Sequence, residues 1–404
     1  MPGPEESAQV SATPILDSGI LPPRIRRKRI AGIITGVLVG LFSGLVLARV
    51  VGEQAHTGLG PRYELLLFVA MIILAITVHE LGHLTAGWLL GFHFRSISIG
   101  VLSLRLEHGM LKIALRRDML ALGYAGMDID RVRRLRRRLL FYIIAGPAAN
   151  ILAIPATVLL MNYASWMENT WVAVPAAQFV VLSLVFAFVS LLPRSGSLSD
   201  GTRIAMLLGS RERARRWLSA IALGKQLRMG VPAKSWKKTW VNAASSLRDS
   251  SIDEFSGNWL AYVAANDRKD VPTSSVHLER CLELAHLLVL PTRDLVAQEA
   301  AVFSAWFRSD ASLAEKWVSQ VKKPKLTQPL LQIRLEVALS SSQSDFPSAL
   351  NHWREGAVLI EKLPATPATK RLVESWLEWQ TEIQERQNGL TTKQTTNSPA
   401  CAGS

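Results

Sequence analysis

The stretch TVHELGHL, residues 77–84, sets two histidines and a glutamate inside a run of apolar residues. Reading outward from it, apolar residues dominate from about 64 to 92, long enough to cross a bilayer as a helix. Ionisable side chains are expensive at that depth and usually mark function. The pattern His79-Glu80-x-x-His83 puts both histidines on one helical face, where they can reach a single zinc ion. Glu80 lies on the adjacent face, where it can take a proton from an attacking water and return it to a leaving amine. Histidines merely packed between helices are the plain alternative.

The chain has 404 residues and a formal net charge of +14. Four segments read as membrane spans: 30–51, 64–92, 139–161 and 171–193. The segments on one side are strongly basic, with RIRRKR at 24–29 and RVRRLRRR at 131–138, whereas 52–62 and 162–170 hold a single basic residue, Arg62. The positive-inside rule therefore puts both termini and the 93–138 loop in the cytoplasm, with Trp166 and Trp171 at the outer interface. The setting expected is a multi-pass protein of the cell (plasma) membrane. The basic runs abut spans, so they read as topology signals and lipid contacts rather than as a nucleic-acid surface. The polar, Pro-, Glu- and Ser-rich start differs from a cleavable signal, and residues 1–29 read as a disordered cytoplasmic tail. Two cysteines, Cys281 and Cys401, imply no disulfide framework. Within the 93–138 loop, alternation over 95–116 around His108-Gly109 predicts a small β-hairpin at the cytoplasmic surface.

Two histidines leave zinc short of a protein ligand. Asp200 follows the fourth span on the same side, after Pro193 breaks the helix and a serine- and glycine-rich turn gives the chain room to fold back. The third span contains Ala145-Gly146-Pro147-Ala148-Ala149-Asn150. Its small residues permit close helix contact, and Asn150 serves either an interhelical hydrogen bond or the positioning of substrate.

Together, His79-Glu80-x-x-His83 in one span, Gly146-xxx-Asn150 in the next, and Leu191-Leu192-Pro193 leading to Asp200-Gly201 resemble the site-2 protease family of intramembrane metalloproteases. The resemblance covers about residues 63–204. It implies a three-helix catalytic core, zinc held by His79, His83 and Asp200, Glu80 as general base, and Asn150 as a substrate-binding residue. It further implies processing of single-span membrane proteins. Ser190 stands where the family commonly has Asn before Leu-Leu-Pro, and the segment from Pro193 to Asp200 is longer and more polar than the common form.

After residue 204 the chain turns helical and mixed in polarity up to about 387, and 388–404 read as a disordered tail. Paired helix-like stretches starting at Trp259, Ala300 and Ile333 lead to second stretches at His277, Ser312 and Ser348. The second members recur about every 35 residues, close to the ~34 of tetratricopeptide repeats. The fold expected is thus an all-α membrane protein with four spans and a β-hairpin, at 30–204, followed by a cytoplasmic tetratricopeptide-like domain, at 205–387, that binds a protein partner. His277, His286 and His352 lack ligand-like spacing. Two competing functions are a different HExxH membrane protease that takes an acid such as Glu212 as third ligand, and a catalytically silent scaffold acting through its repeats.

Overall fold

A computed structural model describes residues 14–23, 60–107, 110–115, 123–193, 199–322 and 329–396; the expected span at 30–51 lies outside them. The described part is mostly helical with one small antiparallel sheet. The chain divides into two compact units, Arg26–Leu218 in one, and Met1–Ile25 with Ser219–Ser404 in the other.

Among the described residues of the first unit, three helices are long and apolar enough to cross a membrane. Helix α1 is Pro61–Leu89, α2 is Leu135–Trp166 and α3 is Thr170–Leu191. Their outer faces carry exposed large apolar side chains, among them Leu65, Leu66, Phe141, Leu152, Leu159 and Phe188. A surface of that kind suits lipid and not water. The inner faces meet around Ala75, Phe179 and Leu182, with Phe68, Met71, Ile72, Val78, Ala153 and Phe186 packed against them.

Helix ends differ from the span limits read in the sequence for local reasons. Pro61 begins α1, where its missing N–H has no helical partner to lose. The helix stops at Leu89 rather than Phe92, because Gly91 takes a left-handed φ of 77° and Phe92 N–H donates back to the Gly87 carbonyl at 2.8 Å. Helix α2 starts at Leu135, so Arg136, Arg137 and Arg138 are in its first turn, not in the loop. Arg138 is committed locally: it donates to the Leu90 carbonyl that ends α1, pairs with Asp130, and lies over the Phe92 ring.

The 93–128 region holds four strands where a two-stranded hairpin was expected. Strands β1 (His93–Ile99), β2 (Leu102–Glu107), β3 (Met110–Leu115) and β4 (Gly123–Asp128) form an antiparallel sheet in the order β3-β2-β1-β4. Gly100, with φ of 56°, allows the tight turn from β1 to β2. Strand β2 is therefore interior, with Leu104 opposite both Ile97 and Ile113. Strand β4, GYAGMD, had no alternating pattern to announce it; its two glycines suit close approach to α1 and to Ser96.

Helix α4 (Asp200–Gly209) is capped by Ser199, whose hydroxyl accepts from Thr202 N–H. A Cβ on Gly201 would lie 1.9 Å from the Leu191 carbonyl oxygen, so only glycine lets this turn press against the end of α3. Arg136 donates to the Leu207 carbonyl and fastens α4 to α2. Helix α5 (Arg211–Arg228) follows.

In the other unit, α6 (Lys238–Ala244) precedes three helix pairs: α7 (Ile252–Asp267) with α8 (Val271–Glu283), α9 (Leu290–Arg308) with α10 (Ala311–Ser319), and α11 (Pro329–Ser342) with α12 (Phe346–Glu361). Each pair turns in the same way. Lys269, Ser309 and Ser344 have positive φ, and the following Asp270, Asp310 and Asp345 cap the second helix by accepting from Thr273, Leu313 and Ser348 N–H. The core includes Tyr262, Phe303, Trp306 and Trp317. Buried Glu299 there receives the Tyr262 hydroxyl at 2.7 Å and a two-pronged Arg334 contact at 2.7 and 2.9 Å. Cys281 is buried, and burial pushes its thiol pKa up, away from reactivity.

Two expectations of disorder are corrected. Helix α13 (Pro367–Thr396) runs past residue 387, anchored by Trp376 and Ile383 in the core. Residues 14–23, placed by composition in a disordered tail, form a helical turn at Ile15–Ser18 and bury Leu16 and Leu21 in the same core.

The repeated Asp cap is testable. Hydrogen bonding to Leu313 N–H holds the Asp310 carboxyl below its usual range. Its stabilisation is therefore present above pH ~4 and lost as pH falls below it. Asp310→Ala is expected to cost about 1 kcal/mol at neutral pH, and Asp310→Asn much less, as read by denaturant unfolding of the solubilised protein.

Candidate metal centre

The HExxH turn lies within α1, and helical spacing alone aligns His79 and His83. Their surroundings decide what they can do. A Cβ on Gly82 would come within 2.5 Å of the Ala145 carbonyl oxygen and of the Ala149 Cβ. A Cβ on Gly146 would come within 2.3 Å of His83 Nε2. The two glycines thus bring α1 and α2 to near contact at the level of the histidines. Gly201 does the same for α4 against α3, which carries Asp200 to the centre from the first turn of a helix and not from a free loop.

The three side chains converge. His79 Nε2 is 3.0 Å from Asp200 Oδ2 and 3.3 Å from His83 Nε2, and His83 Nε2 is 3.5 Å from Asp200 Oδ2. Two nitrogens each bound at ~2.0–2.1 Å to one tetrahedral ion lie roughly 3.3–3.4 Å apart. The separation of the two histidine nitrogens fits that requirement, and the three groups form a set able to hold a metal ion. The second ring nitrogen of His83 is also accounted for. Nδ1 is 2.8 Å from the Tyr142 carbonyl oxygen, to which it donates, so Nε2 carries the lone pair a metal needs.

Asn150 is wholly buried, and its amide is 3.5 Å from His79 Nδ1. Its Oδ1 is buried without a hydrogen-bond partner. Exchanging the amide oxygen and nitrogen, which are nearly isosteric, lets Oδ1 accept from His79 Nδ1–H and gives His79 the same tautomer as His83. The structure therefore sets Asn150 against a candidate ligand rather than at an open surface.

Glu80 is buried beside the histidines and faces the sheet. A Cβ on Gly123 would lie 2.2 Å from Glu80 Oε1, so the first residue of β4 leaves room for this carboxylate and for little else. Tyr142 ties the parts together. Its hydroxyl donates to the Ala125 carbonyl of β4 at 2.7 Å, and its ring lies 5.3 Å from that of His83. Neither Tyr142 nor Gly123 stood out in the sequence. Tyr142 had a usable signal, lying four residues before Gly146 on one face of α2; Gly123 had none.

Other expected or competing residues are placed elsewhere. Glu212 is exposed on α5 and is not among the grouped ligands. His277 and His286 are hydrogen bonded to Asn258 and to the Glu283 carbonyl, and His352 lies near Glu336 and Glu355. Ser190 donates to the Ala187 carbonyl within its own helix. Comparison of the chain with family models, curated proteins and solved structures finds no match.

Crowding His83 with Gly146→Val is expected to remove bound metal, measured by elemental analysis of the purified protein. Gly209→Val, where an added Cβ meets nothing within 4 Å, serves as the control and should retain it. Asn150→Ala should weaken metal affinity about 10–100-fold, the usual effect of losing a partner that orients a ligand.

Proposed function

We propose that the protein is a zinc-dependent intramembrane endopeptidase, similar to the site-2 proteases, that hydrolyses peptide bonds in or near transmembrane segments of other membrane proteins. The observation that carries this reading is the meeting of His79, His83 and Asp200, 121 residues apart at the extremes, beside a buried carboxylate and alongside helices of spanning length. Three lone-pair-bearing atoms converging on one point among apolar helices suit a bound cation, and ionisable groups kept at such a depth usually mark function.

The chain's own groups divide the work as follows. His79, His83 and Asp200 hold the ion, His83 being oriented by the Tyr142 carbonyl and His79 by Asn150. Bound zinc supplies Lewis acidity toward a water and a peptide carbonyl. Glu80 accepts the proton of the attacking water and delivers it to the departing amine, so its carboxylate ends the cycle as it began. Gly123 keeps the space at that carboxylate open. The substrate reaches this chemistry only when its own helix unwinds, and an unwound segment needs main-chain partners. Both edges of β2, the strand of Leu104 and Leu106, are occupied. Of the two outer strands, β4 is the one at Glu80, and it is the strand proposed to pair with substrate.

The membrane setting extends the same reading. Residues 14–23 and 219–396 pack into one unit, so they share one side of the membrane. An even number of crossings keeps them together, which is what the four spans expected from the sequence give. By the positive-inside rule that shared side is the cytoplasm, in a multi-pass protein of the cell membrane. The three helix pairs, with their repeated αL–Asp turn, support a short tetratricopeptide-like stack that recruits a protein partner.

Co-expression with tagged single-span membrane proteins tests the proposal. Glu80→Gln should reduce cleavage by about 10²–10⁴-fold with metal content unchanged. Gly123→Val, which drives a side chain into Glu80, should lose cleavage while keeping metal. Fragments identical to wild type from Glu80→Gln would end the protease reading and leave the scaffold.

A further inference from the structure

The segment PILDSGILPP, residues 14–23, is held on the helical unit as a ligand is held. A helix of four residues has no stability of its own in water, so the order of Ile15–Ser18 comes from the surface beneath it. That surface reads the backbone. The two carboxylate oxygens of Glu279 accept from Ile15 N–H at 2.6 Å and Leu16 N–H at 2.7 Å. The buried Trp317 indole donates to the Leu16 carbonyl at 3.1 Å, and Arg293 donates to the Pro22 carbonyl at 2.6 Å. Side chains add selectivity. Leu16 and Leu21, five residues apart, are buried among α8, α9 and α10, and Asp17 pairs with Arg308. Gly19 takes φ of 69°, and a Cβ there would lie 2.8 Å from the Lys316 Cβ, so the exit from the turn requires glycine twice over.

Two carboxylate-capped N–H groups, two cationic or indole donors on carbonyls and two leucine seats amount to a peptide-recognition site built from residues 279–317. We propose that Glu279, Arg293, Arg308 and Trp317 form a peptide-binding surface whose resident ligand is segment 14–23 of the same chain. A second peptide with the same pattern exchanges with it: a leucine as the second residue of a helical turn, an acidic residue next, glycine after the turn, and a second leucine five positions on from the first. Covalent attachment keeps the resident segment at high effective concentration, so exchange is suppressed while it is intact and seated. This inference is independent of the hydrolytic reading, since no group at the metal centre takes part.

The test is a fluorescence anisotropy titration of a labelled synthetic peptide covering residues 12–25. It is run against the solubilised full-length protein and against the chain lacking residues 1–23. The truncated chain is expected to bind the peptide saturably and at least roughly tenfold more tightly than the full-length protein, whose site is filled. In the truncated background Glu279→Ala should weaken binding about tenfold or more, because it strands two peptide donors. Arg308→Glu should also weaken it, and a peptide carrying Asp17→Arg should recover that loss. Absence of saturable binding to a truncated chain with wild-type helical content would overturn the proposal, as would equal binding by Glu279→Ala. If truncation prevents folding, the full-length double variant Leu16→Asp, Leu21→Asp replaces it, with the same expectations. If that variant also fails to fold, the segment is a fixed part of the core and the proposal is overturned.

Discussion

The centre depends on one close approach, the crossing of α1 and α2 at Gly82 and Gly146. Each glycine removes a Cβ that would collide with the opposite helix, at 2.5 Å in one case and 2.3 Å in the other. With larger residues the helices would stand apart, and His83 would lose both its space and the Tyr142 carbonyl that orients it. Between apolar helices there is no hydrophobic gain left to drive association in lipid. Close packing and a few interhelical hydrogen bonds must supply it. The contacts that hold the bundle are therefore the same ones that shape the site.

The same logic recurs where α4 meets α3. Gly201 admits the Leu191 carbonyl, Ser199 caps the helix, and Arg136 fastens its far end through Leu207. Three separate small contacts thus position one carboxylate. Basic residues that composition assigns to topology have such local duties as well: Arg138 closes the end of α1 through Leu90, Asp130 and Phe92. A charge run can serve both ends, because topology reads the number of positive charges whereas geometry uses individual guanidinium forks.

The helical unit solves a different problem, that of holding many short helices together. It does so with a continuous aromatic and aliphatic core, with a buried Tyr262–Glu299–Arg334 cluster whose polar atoms satisfy one another, and with the same αL–Asp turn used three times. The aromatic stack of Trp306 on Trp379, 4.0 Å apart, brings α13 into that core. Only its last turns, beyond residue 387, read as a tail in the sequence; they continue a helix held in the core by burial of Trp376 and Ile383.

Local spacing determined much of this protein. The i, i+4 geometry of a helix is encoded by residue count alone, so His79 and His83 could be paired, and Glu80 put beside them, without coordinates. Apolar run length likewise announced α1, α2 and α3, and helical periodicity announced the paired helices after residue 250. What tertiary structure decided is whatever depends on residues far apart in the chain. That Asp200 meets the histidines, that Asn150 turns to His79, that β4 passes over Glu80 through Gly123, and that residues 14–23 seat on Glu279 and Trp317 are all set by packing. Sequence periodicity records which face of an element is apolar. It carries no record of which distant backbone will be allowed near enough to touch it, and here glycines at helix crossings make that choice.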